Sequence, residues 1–136
     1  PMLKAARGAI VLTSSTAGLY GYPNRAPYAA AKWGIIGLMK TLAMEWGPEG
    51  VRANAICPGA VEGPRMQGVM EREAAAKGTD VQHIYDGYAS GTSMRSLVAA
   101  EDIANMAVFL CSAGARLVSG QVIAVDGHTE NPDPKV

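Results

Sequence analysis

No apolar run in this sequence approaches the roughly 18 residues that a membrane-spanning helix needs, so no such span is expected. Cysteine is scarce: Cys57 and Cys111 are the only two, and they show no pairing pattern. That excludes a disulfide framework and makes a reduced, cytoplasmic setting the expectation, with both thiols placed in buried elements. Histidine is equally scarce. His83 and His128 each lack a second ligand at metal spacing, so no metal site is expected and both are read as surface residues. An excess of one charge is also missing, because 12 basic residues balance 12 acidic ones. With no basic stretch and no charge block, a nucleic-acid partner is not expected. Internal repeats and low-complexity segments are absent as well.

What remains is a chain of 136 residues, 49% hydrophobic, long enough for one ordinary domain and too short for two. Pro1–Arg7 (PMLKAAR) reads as the last turn of a helix. Gly8–Leu12 (GAIVL) reads as a parallel strand buried on both faces. After a loop rich in Gly, Pro and Asn, Pro27 suits the first turn of a helix, and helical patterning runs from Tyr28 to Trp46 until Gly47-Pro48 stops it. Gly34 and Gly37 inside that helix imply close approach of another backbone, either the sheet or a partner subunit. Val51–Cys57 reads as a second strand ended by Pro58-Gly59. Residues 60–67 look irregular, Val69–Lys77 is helical, and Thr79 or Asp80 would cap a further short helix through Tyr88. Another amphipathic helix begins at Ala99-Ala100, with Ile103, Met106, Ala107, Phe109 and Leu110 on its apolar side. Gln121–Val125 is the last strand, and the tail from Glu130 is expected to be loosely ordered. Strand–helix–strand–helices–strand predicts an α/β fold with parallel strands and right-handed crossovers. A sheet of three strands is small for that class, so further strands are expected on the N-terminal side.

The polar residues gather around one stretch. The first strand ends at Ser14-Ser15, where open α/β sheets bind ligands. Tyr28 follows Ser15 by thirteen positions, and Lys32 lies four residues beyond Tyr28. Residues four apart share a helix face. A hydroxyl, a phenol and an ammonium can therefore converge on one space and form a proton-transfer site. Ser and Thr at a strand end also serve simply to satisfy loop backbone, and residues 62–92 read equally well as a lid or as a plain surface insertion.

The ordered set Ser15, Tyr28, Lys32, then Asn54-Ala55-Ile56-Cys57-Pro58-Gly59, then Ser119-Gly120-Gln121 and Asp126-Gly127 resembles the short-chain dehydrogenase/reductase family over nearly the whole chain. The resemblance implies the C-terminal portion of a Rossmann-type doubly wound parallel sheet, with residues 1–136 forming a single incomplete domain whose N-terminal strands are missing. Within it, 62–92 would be a helical substrate lid and 129–136 a C-terminal tail. It implies an NAD(P)-dependent oxidoreductase that interconverts a secondary alcohol and a ketone. Tyr28 would be the general acid/base, Ser15 would polarise the substrate oxygen, and Lys32 would bind the nicotinamide ribose and lower the pKa of Tyr28. Pro58, Gly59 and Val61 would lie along the nicotinamide of NAD or NADP. The chemistry is coherent, since a tyrosine ordinarily titrates near 10 and a neighbouring ammonium favours its phenolate form. The implied partners are a small-molecule alcohol or ketone and further copies of the chain, as a homodimer or homotetramer built partly on the helix carrying Tyr28 and Lys32. The glycine-rich turn for the cofactor pyrophosphate is not in this sequence. Gly63 stands where family members often carry a cofactor-contacting Thr, and the ending is Asp126-Gly127-His128 in place of the common Asp-Gly-Gly. Two alternatives stay open: an inactive fragment, and a non-catalytic structural or binding protein of the same family. The helical segment 69–96 and the DGHTE ending at 126–130 resemble a bacterial-type subgroup often labelled 3-oxoacyl-reductase-like.

Overall fold

A computed structural model describes residues 1–132. Its elements in chain order are α1 (Met2–Ala6), β1 (Ala9–Thr13), α2 (Ala26–Trp46), β2 (Arg52–Pro58), α3 (Pro64–Lys77), α4 (Val81–Ser90), α5 (Ala100–Cys111) and β3 (Val122–Val125). The three strands form one parallel sheet in the order β1-β2-β3. Ala9 pairs with Arg52 at one end of the β1–β2 ladder and Thr13 with Ile56 at the other. Pro58 pairs with Val125 at the carboxyl end of β2. All three strands therefore point their carboxyl ends to one edge, which is where a parallel sheet places its ligands.

Helices cover both faces of β2. Met39, fully buried on α2, packs on Ala53 and Ala55 of β2, with Ile10, Leu12, Leu42, Ala43 and Val122 around them. Small residues on β2 let the helix lie close. Side chains alternate along a strand, so Asn54 and Ile56 face the other way, and both are buried there. That side is covered by α5, which touches all three strands and sinks Leu110 completely. Buried Asn54 would be costly unless bonded. Its amide donates to the Val118 carbonyl at 2.9 Å, and its oxygen accepts from the Gln121 N–H at 3.1 Å. The Ser119 hydroxyl accepts from the Ala53 N–H at 3.2 Å. The Asn54 and Ser119-Gly120-Gln121 motifs are thus two halves of a clasp that sets the β2–β3 register. Asp126, also buried, accepts from the N–H groups of His128 and Thr129 and turns the chain out of β3. His128 sits at φ 62 in that turn, a left-handed conformation that glycine adopts more readily.

Several expectations need correcting. β1 is only half-buried, because it is the edge strand of the sheet among the described residues. Space lies open at Gly34 and Gly37, so the sheet is not what approaches them. Cys111 is exposed at the end of α5, whereas Cys57 is buried. Phe109 is 46% exposed and stands off the packed stripe of α5. α3 begins at Pro64, not Val69. Met66, Met70 and Ala74 recur every four residues on its packed face against Ile84, and Gly63, Pro64 and Gly68 hid that period. Asp80, rather than Thr79, caps α4, accepting from the His83 N–H at 2.7 Å. The tail expected to be loose is tied as far as Asn131, since the N–H groups of Glu130 and Asn131 both donate to the Gly91 carbonyl. Residues 133–136 of that tail lie outside the described residues. Among the described residues, no helix is long and apolar enough to cross a membrane.

Met39 carries the contact between α2 and the sheet. Met39→Ala is expected to destabilise the protein by about 2–5 kcal/mol, read as a lower midpoint in urea unfolding. An unchanged midpoint would show that α2 is not held by this contact.

Candidate active site

The carboxyl ends of β1 and β2 open onto a cavity of about 620 Å³. Ser15, Tyr28, Lys32, Pro58, Gly59 and Val61 all line it. Five elements of local geometry bring them there. The Ser14 N–H donates to the Ile56 carbonyl at 2.8 Å and carries the β1–β2 pairing one residue past β1. Ser14, buried, donates its hydroxyl to the Lys32 carbonyl at 2.8 Å and so ties the second turn of α2 to the strand end. Gly18 fits against the same carbonyl: a Cβ there would come within 3.0 Å of the Lys32 oxygen. The Lys32 ammonium donates to the Thr13 carbonyl at 3.1 Å and sits 5.6 Å from the centre of the Tyr28 ring. Finally, the Gly59 N–H donates to the Val125 carbonyl at 3.0 Å and fixes the turn after β2.

The hydrogen-bonding state of two groups matters more than their position. The Ser15 oxygen accepts from the Ala17 N–H at 3.1 Å. A hydroxyl has one proton to give, and with its oxygen already engaged as an acceptor, that proton remains for a ligand. Val61 forms a parallel bridge with Val98, but the bonds of that bridge belong to its neighbours. The Val98 N–H donates to the Ala60 carbonyl, and the Glu62 N–H donates to the Val98 carbonyl. The backbone N–H and C=O of Val61, itself a lining residue, therefore point away from that bridge and have no bond of their own among the described residues. A primary carboxamide needs that pair.

Cys57, next to the Pro58-Gly59 turn, is a packing residue. Burial pushes its thiol up, while the Ser14 side chain and the Ser15 N–H act in the opposite direction. Among the described residues no group of three or more His, Cys, Asp or Glu could hold a metal. Sequence reasoning missed Tyr22, Arg25, Arg65 and Tyr88, which also line the cavity. The first two were legible as part of the loop between Ser15 and Tyr28. The others arrive from α3 and α4, which no local pattern ties to the strand ends.

α3 and α4 form a wall. The Tyr88 hydroxyl donates to Glu73 at 3.0 Å, and the Tyr85 hydroxyl donates to Glu62 at 3.1 Å. Burial, reinforced by Glu73, pushes the Tyr88 phenol up to about 12. Glu73 is held below the ordinary carboxylate value by its bond from Lys77, helped by Tyr88 and opposed by burial.

The family described as "Enoyl-(Acyl carrier protein) reductase" matches residues 1–128. A 3-oxoacyl-[acyl-carrier-protein] reductase of Chlamydia trachomatis is 36% identical over 127 residues, covering 93% of this chain and 47% of the relative. Among solved structures, an actinorhodin polyketide ketoreductase with NADPH superposes with a TM-score of 0.85 at 32% identity, covering 96% of this chain and 50% of that one. A 4-hydroxyisoleucine dehydrogenase complexed with NADH gives 0.72 at 28% identity, covering 93% and 49%. The chain spans about half the length of the curated relatives it matches.

The Tyr88–Glu73 bond sets a pH window for the α3–α4 wall. The phenol's folded value lies above its ordinary 10.0, so its contribution is complete below 10.0 and is lost as pH rises through about 12. Glu73 lies below its ordinary 4.5, so its contribution is complete above 4.5 and is lost as pH falls through the lower folded value. Thermal melts of Tyr88→Phe across pH are expected to show a shallower alkaline decline than the wild type. An identical decline would remove the bond from the account.

Proposed function

The chain belongs to the short-chain dehydrogenase/reductase family, and on that premise we propose that the protein interconverts a secondary alcohol and a ketone with NAD or NADP. The observation that carries this reading is the shared cavity of Ser15, Tyr28 and Lys32, with the Ser15 proton left over for a substrate oxygen. The residues present fit the nicotinamide end of such a cofactor. Val61 would hold the carboxamide through its backbone N–H and C=O, Pro58 and Gly59 would border the nicotinamide, and the Lys32 ammonium would bind the ribose. The cofactor, when bound, supplies or accepts the hydride.

The chain's own residues manage the oxygen. Ser15 donates a hydrogen bond to the substrate oxygen and holds its position. Tyr28, one turn from Lys32 on the same face of α2, gives a proton to that oxygen in reduction and takes it back in oxidation. The Lys32 ammonium beside the ring stabilises the charge Tyr28 carries between those two events. Hydrogen-bond donors fixed before substrate arrives cost no reorganisation during the reaction.

α3 and α4, within the 62–92 segment, act as the substrate lid. The exposed face of α2 supports the homodimer or homotetramer. Trp33 is 50% exposed, Leu38 52% and Met44 80%, with open space at Gly34 and Gly37 for a second backbone. Large apolar side chains exposed on one helix mark an interaction surface.

Tyr28→Phe in the full-length protein is expected to lower kcat for ketone reduction by about 100-fold or more, followed as NAD(P)H absorbance, with cofactor binding retained. Wild-type turnover in that variant would take the acid/base role away from Tyr28.

A further inference from the structure

The cavity wall carries more positive charge than the proton-transfer step uses, and the surplus points to the substrate. Besides Lys32, two arginines line the cavity: Arg25, three residues before Tyr28, and Arg65 in the first turn of α3. Neither forms an ion pair among the described residues, where the pairs are Lys4–Glu49, Lys77–Glu73 and Arg95–Glu130. The one carboxylate on the wall, Glu62, already accepts from the Tyr85 hydroxyl. Among the described lining residues, three cationic side chains therefore face one carboxylate, an excess of positive charge.

Arg25 is the better placed of the two. Its guanidinium lies 5.3 Å from the centre of the Tyr22 ring, and Tyr22 is itself a wall residue. A guanidinium over an aromatic face is attracted to the ring, which favours a position beside Tyr22. Arg25 also stands at the start of α2 without using its side chain to cap the helix. An arginine fork matches a carboxylate with two parallel N–H···O bonds.

We propose that Arg25 selects substrates carrying a carboxylate near the reacting carbonyl, so that the protein acts on oxo acids and the corresponding hydroxy acids. This rests on the reductase reading above, because the carbonyl is placed by Ser15 and Tyr28. Arg25 holds the far end of the molecule and touches no reacting atom. It is a specificity residue, and Arg65 adds to the attraction without a fixed orientation.

The test compares 3-oxohexanoate with its uncharged methyl ester, using the full-length protein, NADPH and NADH. In the wild type, kcat/KM is expected to favour the acid. Arg25→Ala should lower the acid-to-ester ratio by about 10- to 100-fold, chiefly through KM for the acid. Arg25→Glu should lower it further, and Arg25→Lys should keep it within several-fold. An unmoved ratio in Arg25→Ala, with both substrates affected alike, overturns the proposal. So does a raised cofactor KM with the ratio unmoved, which would assign the guanidinium to a cofactor phosphate. Calorimetric titration of acid and ester into wild type and Arg25→Ala separates this proposal from the reductase reading. If neither compound is turned over, the reductase reading fails. Tighter binding of the acid that disappears in Arg25→Ala still supports the carboxylate site, and equal binding of acid and ester overturns it.

Discussion

One contact decides whether the candidate site exists at all: the bond from the buried Ser14 hydroxyl to the Lys32 carbonyl, packed against Gly18. A parallel sheet brings strand ends to one edge, but it does not bring a helix side chain to them. α2 must dock at a particular depth and rotation. Met39, Ala53 and Ala55 set its distance from the sheet, and that apolar contact is non-directional. Ser14 supplies the direction. It joins the second turn of α2 to the first residue beyond β1, and Lys32 and Tyr28 border the same cavity as Ser15. The ammonium's bond to the Thr13 carbonyl and the Ala17–Ser15 bond then orient the groups this junction has placed.

The same junction explains why some of the molecule was legible in its sequence and some was not. The strand and helix periods around Ser15, Tyr28 and Lys32 are local, so their existence and order could be read directly. The Asn54, Ser119-Gly120-Gln121 and Asp126-Gly127 motifs could be recognised as a set. Their physical task, clasping β2 to β3 and turning the chain back, needs contacts between residues more than sixty positions apart, and no local pattern contains that. The start of α3 was hidden by Gly63, Pro64 and Gly68, which interrupt a period that Met66, Met70 and Ala74 still keep. Cys111 and Phe109 were misjudged because amphipathic patterning tells which residues favour burial. It does not tell which partner covers them, and in this chain nothing described covers either.

The arrangement divides the work between two kinds of surface. The strand ends and α2 hold the groups to which the proposed reaction assigns the oxygen and the carboxamide, namely the Ser15 hydroxyl, the Tyr28 phenol and the backbone N–H and C=O of Val61. The loop before α2 and the α3–α4 wall carry further residues of the cavity lining, including Arg25, Arg65, Tyr22 and Tyr88. The first set is rigid because it sits on paired backbone. The second sits on a loop and on two helices joined by the Tyr88–Glu73 bond, which can vary without disturbing the first. Chemistry and selectivity are therefore separable by mutation.

The central claim is that catalysis depends on how α2 is seated on the end of β1. Gly18→Ala tests it most directly, because the added methyl would press on the Ser14 hydroxyl and the Lys32 carbonyl while leaving the Tyr28 side chain itself unaltered. In the full-length protein, with fold checked by circular dichroism, the account predicts a fall in kcat for ketone reduction of about 10- to 100-fold. Wild-type kcat in a folded Gly18→Ala protein would contradict it.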